Sequence, residues 1–134
     1  MAYHGYIPGI KQFLSQIQSP KVLEIGLCKG ITTIPLLVFM SRMHEDFEFV
    51  GIDVLVQESL MIILNNIDVL PSQKMIIHQD SSLNALPKLT ESSKKFDVVL
   101  LDGDHNYYTV SRELEYLDSL TNENSIVLID DYHG

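Results

Sequence analysis

Val22-Leu23-Glu24-Ile25-Gly26-Leu27-Cys28-Lys29-Gly30-Ile31-Thr32-Thr33 is an apolar run that enters a turn punctuated by two glycines and leaves it as a helix. Glycine reaches backbone conformations with positive φ and lets the main chain approach a ligand closely. A helix that starts just after such a turn offers free N–H groups and a partial positive charge, suited to a carboxylate or a phosphate. Strand, glycine turn and helix in that order open a βαβ unit.

Outward from this stretch, apolar runs of β type keep alternating with segments of helical character. The strand candidates are Lys21–Ile25, Phe47–Asp53, Lys74–Gln79, Phe96–Asp102 and Ser125–Asp130. Most are apolar on both faces, as strands are when helices cover both sides of a parallel sheet. Helical candidates lie near Ile10–Ile17, stopped by Pro20, and near Ile31–Glu45, Gln57–Val69, Leu83–Leu89 and Tyr107–Leu120. Five parallel strands joined by right-handed crossovers make a Rossmann-like, doubly wound α/β sheet of order 3-2-1-4-5. Its ligand site lies outside the carboxyl ends of the strands, at the point where the strand order reverses.

With 134 residues, 46% hydrophobic and 20% charged, the chain is expected to form a single globular domain, 1–134. A net charge of −9 without a stripe of Lys and Arg repels phosphate backbones and argues against nucleic acid. The longest apolar run, Ile31–Met40, is interrupted by Thr32, Thr33 and Pro35 and falls short of the roughly 20 residues that cross a bilayer. No signal-peptide pattern opens the chain, and its single cysteine, Cys28, has no internal disulfide partner, so a cytoplasmic protein without a membrane span is expected.

Carboxylates recur at the strand ends. Asp53 closes the second strand about 20 residues after the glycine loop, where doubly wound folds place an acid on ribose hydroxyls. It equally fits a turn former or helix cap. Asp80-Ser81 follows the third strand and is read either as a ligand contact or as the cap of the helix at Leu83.

The richest stretch is Phe96-Asp97-Val98-Val99-Leu100-Leu101-Asp102-Gly103-Asp104-His105-Asn106-Tyr107-Tyr108, which ends a buried strand in acids, a histidine and aromatics. The fifth strand ends similarly, as Ile129-Asp130-Asp131-Tyr132-His133. If these two strands are neighbours, Asp102, Asp130 and Asp131 converge, and converging carboxylates call for a cation or for protons. Mg²⁺ is the natural hard cation for carboxylate oxygens. As an alternative, Asp104 and His105 cap the helix near Tyr107, and Asp130 and Asp131 are turn residues.

Glu24-x-Gly26-x-x-x-Gly30 departs from the G-x-G-x-x-G dinucleotide pattern, which disfavours a nicotinamide-dependent oxidoreductase. It resembles motif I of class I S-adenosylmethionine-dependent methyltransferases. Over residues 21–134 the chain also resembles small-molecule methyltransferases whose fourth strand ends in D-G-D-H-x-Y and whose fifth ends in D-D-x-H. More distantly it is similar to the metal-dependent catechol, caffeoyl-CoA and macrolide-sugar O-methyltransferases. The resemblance implies that Gly26, Leu27, Gly30 and Thr32 cradle the methionine part of S-adenosylmethionine while Glu24 orients the loop. It implies further that Asp53 and Val54 lie at the ribose, Asp80 and Ser81 at the adenine, and Asp102 beside the cofactor.

By the same resemblance Asp102, Asp130 and Asp131 are ligands of a divalent metal, Asp131 standing where the catechol type often has asparagine. His105 stands where that type has its lysine base. Histidine titrates near neutral pH, and a bound metal lowers a hydroxyl pKa, so the two together prepare an acceptor oxygen to attack the sulfonium methyl group in line. Positioning the two reactants supplies much of the acceleration.

The implied activity is O-methylation of a small-molecule hydroxyl acceptor. A non-catalytic module that binds S-adenosylmethionine is the alternative. Cys28 is read as a small loop residue, and His4, His44, His78 and His133 as incidental. The fourth strand lacks the Pro-Pro-Tyr type of motif that holds a flipped base, which disfavours DNA-base and RNA-base methylation. The complete sheet of this class has seven strands, so a chain that ends at Gly134 is expected to be a piece, or a minimal version that covers its open edge by forming a homodimer.

Overall fold

The computed structural model describes residues 7–102 and 106–129. In chain order the elements are α1 Ile7–Ser15, β1 Lys21–Ile25, α2 Thr33–Met43, β2 Phe47–Asp53, α3 Glu58–Asn65, β3 Gln73–Gln79, α4 Ser82–Glu91, β4 Phe96–Leu101, α5 Tyr107–Leu120 and β5 Thr121–Ile129. The strands form one parallel sheet of order β3-β2-β1-β4-β5, as the alternation of apolar runs predicts.

β1 is the centre of the sheet, and its residues beyond Lys21 are all buried. Side chains alternate between faces along a strand, so Val22 and Leu23 enter different cores. On one face Val22, Phe49, Val98 and Leu100 pack under Ile10 and Leu14 of α1, Leu36, Leu37 and Met40 of α2, and Leu60 and Leu64 of α3. On the other, Leu23, Ile25, Val50, Ile52, Phe96, Val99 and Leu101 pack under Ala85, Leu86 and Leu89 of α4 and Leu117 and Leu120 of α5. Each buried Val, Leu, Ile, Phe or Met among them contributes about 1.5–3 kcal/mol by leaving water. The two cores fix the sheet, and the sheet fixes where its strand ends stand.

Several boundaries differ from the sequence reading. α3 stops at Asn65 instead of running to Val69. The Asn66 amide donates to the Ile62 carbonyl at 2.7 Å, closing the helix. β5 begins at Thr121, directly after α5. Its pairing with β4 is irregular between Phe96 and Val98, and the Ser125 hydroxyl donates to the Phe96 carbonyl at 2.7 Å across that irregularity. α4 runs from Ser82 to Glu91 with Pro87 inside it, longer than Leu83–Leu89. Gln73, buried at the start of β3, donates from its amide to the Ser41 and His44 carbonyls at 3.0 and 2.7 Å and so ties the end of α2 to the sheet. Among the described residues no helix is long and apolar enough to cross a membrane.

Candidate functional site

Three backbone hydrogen bonds continue the ladder past the strand ends. The Asp102 N–H donates to the Ile25 carbonyl at 2.8 Å, the Gly26 N–H to Ile52 at 2.7 Å, and the Asp80 N–H to Asp53 at 2.9 Å. They align the ends of β4, β1, β2 and β3 as one row. Over this row lies a cleft of about 390 Å³, on the carboxyl side of the sheet where the strand order reverses. Gly26, Cys28, Asp53, Val54, Asp80, Ser81 and Asp102 line it, with Ile25 and Ile52 from the strands, Ser82 and Leu83 from α4, and Thr109 and Glu113 from α5.

The glycine loop adopts the conformations its composition allows. Gly26 has φ +91°, Cys28 +50° and Gly30 +82°. A Cβ on Gly30 would stand 2.5 Å from Leu60 Cδ1, so glycine is required there by both torsion and space. Gly51 in β2 provides the bed for the loop: a Cβ on it would stand 2.9 Å from Leu27 Cδ2. The Leu27 side chain is therefore part of the core, and only its backbone belongs to the loop.

Asp53 holds this loop directly. Its Oδ2 accepts the N–H groups of Leu27 at 2.8 Å and Cys28 at 3.1 Å, and its Oδ1 accepts that of Leu55 at 3.4 Å. The cap position of α3 is occupied by Gln57 instead. Asp53 is thus built into the loop as well as facing the cleft.

Glu24 lies behind the loop, fully buried, and its Oε1 accepts the Thr33 hydroxyl at 2.6 Å. Burial pushes its pKa up to about 8; the Thr33 bond opposes this, and the nearby charges of Asp102 and Asp53 add to it. Thr32 is buried at the start of α2, with no side-chain cap bond.

Across the cleft Asp80 Oδ1 accepts the Ser81 N–H at 2.7 Å and the Asn84 amide at 3.3 Å. The Asn84 bond, then the Ser81 bond, holds the Asp80 carboxyl below the usual range. Ser81 caps α4, its hydroxyl oxygen accepting the Leu83 N–H at 3.2 Å.

The sequence-predicted residues Gly26, Asp53, Val54, Asp80, Ser81 and Asp102 thus come together on one cleft. Glu24, Leu27, Gly30 and Thr32 lie outside its lining: Leu27 and Gly30 are part of the loop, Glu24 is buried on β1 and Thr32 is buried at the start of α2. His105, Asp130 and Asp131 lie outside the described residues, as do Asp104, His133 and His4. The cap of α5 is Asn106, whose side-chain oxygen accepts the N–H groups of Tyr108 at 2.8 Å and Thr109 at 3.3 Å. Among the described residues no group of three acids, histidines or cysteines is placed to hold a metal.

Sequence reasoning missed Ser82, Leu83, Thr109 and Glu113. Glu113 carried a signal: Thr109, Glu113, Leu117 and Leu120 share a helical stripe, and a carboxylate inside an otherwise uncharged stripe is anomalous.

The sequence profile of a family described as a methyltransferase domain matches residues 23–132. No curated protein matches. Among solved structures, the chain is similar to the MycE methyltransferase from the mycinamycin biosynthetic pathway, in complex with Mg and SAH, at 17% identity and a TM-score of 0.61. That match covers 94% of this chain and 30% of the other. Human methyltransferase-like protein 13 in complex with SAH matches at 16% identity and a TM-score of 0.59, covering 95% of this chain and 63% of that one. This chain therefore spans less than two thirds of either protein, and the likeness shows a shared fold.

Proposed function

This chain belongs to the methyltransferase-domain family, with the class I fold, and we propose that it binds S-adenosylmethionine in the cleft and transfers the methyl group to a hydroxyl of a small molecule. The observation that carries the reading is the row of strand ends, Gly26 beside Asp53 and Asp80 on one side and Asp102 on the other, opening onto one cleft. Its parts match the parts of the cofactor in order. The positive-φ glycine loop leaves backbone close to the methionine portion, Asp53 offers carboxylate oxygen to ribose hydroxyls, and Asp80 with Ser81 offers acceptors at the base end. The two structural neighbours are complexes with SAH, which supports the same ligand here.

Asp102 lines the cleft at the end of β4 and is the described member of the proposed metal set Asp102, Asp130 and Asp131. Asp130 and Asp131 follow Ile129, the β5 residue that pairs with Leu101, in the chain. MycE is described with Mg, which supports a divalent cation at such a set. A bound Mg²⁺ supplies Lewis acidity that lowers the pKa of an acceptor hydroxyl. His105 is the proposed base for that proton.

Isothermal titration with S-adenosylmethionine, with and without Mg²⁺, tests the reading. One site with micromolar to low-millimolar affinity is expected; no binding at millimolar cofactor in either condition would overturn it.

A further inference from the structure

Glu113 is, with Glu24, one of two buried carboxylates among the described residues, and it is 1% exposed. Its Oε2 accepts the hydroxyl of Ser82 at 2.5 Å, joining α5 to α4 across 31 residues of sequence, and both residues line the cleft. Beside it, Ala85, Leu86 and Leu89 of α4 and Leu117 and Leu120 of α5 belong to one hydrophobic cluster. A carboxylate at such a place costs desolvation that an apolar side chain of similar size avoids. Apolar packing alone therefore gives no reason for it.

Its partner gives one. Ser82 is the first residue of α4, next to the cap Ser81 and two residues from Asp80. The Asp80 carboxylate is in turn fixed by the Ser81 N–H and by Asn84 of the same helix. We infer that Glu113 is a positioning residue: its carboxylate anchors Ser82 across the floor of the cleft and so sets the Asp80-Ser81 turn against the nucleobase end of the cofactor. The inference rests on the reading of the cleft as an S-adenosylmethionine site. α5, which follows the Asp102 end of β4, and α4, which follows the Asp80 end of β3, are thereby held in one register through a bond at the cleft itself.

The test compares Glu113→Leu, Glu113→Gln and Ser82→Ala by titration with S-adenosylhomocysteine and by thermal unfolding. Leucine fills the volume and removes the acceptor; glutamine keeps a side-chain oxygen for Ser82. Glu113→Leu and Ser82→Ala are expected to bind on the order of tenfold more weakly than wild type, because the Asp80-Ser81 turn loses its anchor. Glu113→Gln is expected to recover to within about threefold, with Glu113→Leu melting no lower than wild type. Unchanged affinity in Glu113→Leu, or glutamine failing as badly as leucine in a folded protein, overturns the positioning role. Should Glu113→Leu not fold, Ser82→Ala decides by the same criterion. Absence of binding in wild type overturns the cofactor reading itself, and this role with it.

Discussion

The carboxylate of Asp53, at the end of β2, holds the backbone of Leu27 in the glycine loop, its Oδ2 accepting the Leu27 N–H at 2.8 Å. The same oxygen takes the Cys28 N–H at 3.1 Å. Ionised acceptors bind backbone N–H groups strongly, and these bonds bring the loop down over the sheet where Gly51 leaves room for Leu27. Asp53→Ala is expected to cost about 2 kcal/mol in urea unfolding and to weaken cofactor binding by at least tenfold. Asp53→Asn, which keeps one oxygen acceptor, should lose less of both. Equal stability of wild type and Asp53→Ala would contradict the loop-holding role.

Glu24 is expected to make the stability of the ligand-free protein fall as pH rises. Its folded pKa is raised from 4.5 to about 8, so between those values the native state holds a proton that the unfolded state has released. The contribution is complete below pH 4.5 and is lost as pH rises through about 8. Across that window the slope is on the order of 1.4 kcal/mol per pH unit. Glu24→Gln keeps an acceptor for the Thr33 hydroxyl and cannot ionise. Urea unfolding of both proteins at several pH values should give a wild-type decline from pH 5 to 8 that the glutamine variant lacks.

Gly30→Ala combines two penalties, a φ of +82° and a Cβ 2.5 Å from Leu60 Cδ1 and 3.0 Å from Ile34 Cδ1. A loss of about 2–3 kcal/mol in unfolding free energy is expected. Because Leu60 belongs to α3, the damage should spread to that helix, visible as faster amide hydrogen exchange at Leu60 and Leu64.

Asn106→Ala removes the acceptor for the Tyr108 and Thr109 N–H groups at the start of α5. Loss of such a cap costs about 1 kcal/mol. Asn106→Ser should recover most of it in thermal unfolding; an unchanged melting temperature in the alanine variant would show that another group caps the helix.

The sheet was legible because its evidence is repetitive. Lys21–Ile25 and Phe47–Asp53 are apolar runs bounded by turn residues, and their observed limits are the expected ones. Parallel pairing then leaves few ways to order five strands, and the acids at 53, 80 and 102 fall on one side of the sheet as a consequence. Helix ends were less legible, since α3 stops where the Asn66 amide bonds back to Ile62, a weaker signal than the apolar period that runs on through Val69. Least legible were roles set by tertiary contact. Asp53 reads as a strand-end acid, yet which N–H groups it accepts depends on the loop that lies over it. Glu113 meets Ser82 only because α4 and α5 pack on the same face of the sheet.

The central claim is that the cleft over the strand ends is the cofactor site. A crystal structure of the chain grown with S-adenosylhomocysteine tests it most directly. The account predicts the ligand in the cleft, its methionine part against Gly26, its ribose hydroxyls on Asp53 and its base beside Asp80 and Ser81. Ligand bound elsewhere on the chain, or a cleft still empty at saturating S-adenosylhomocysteine, would contradict it.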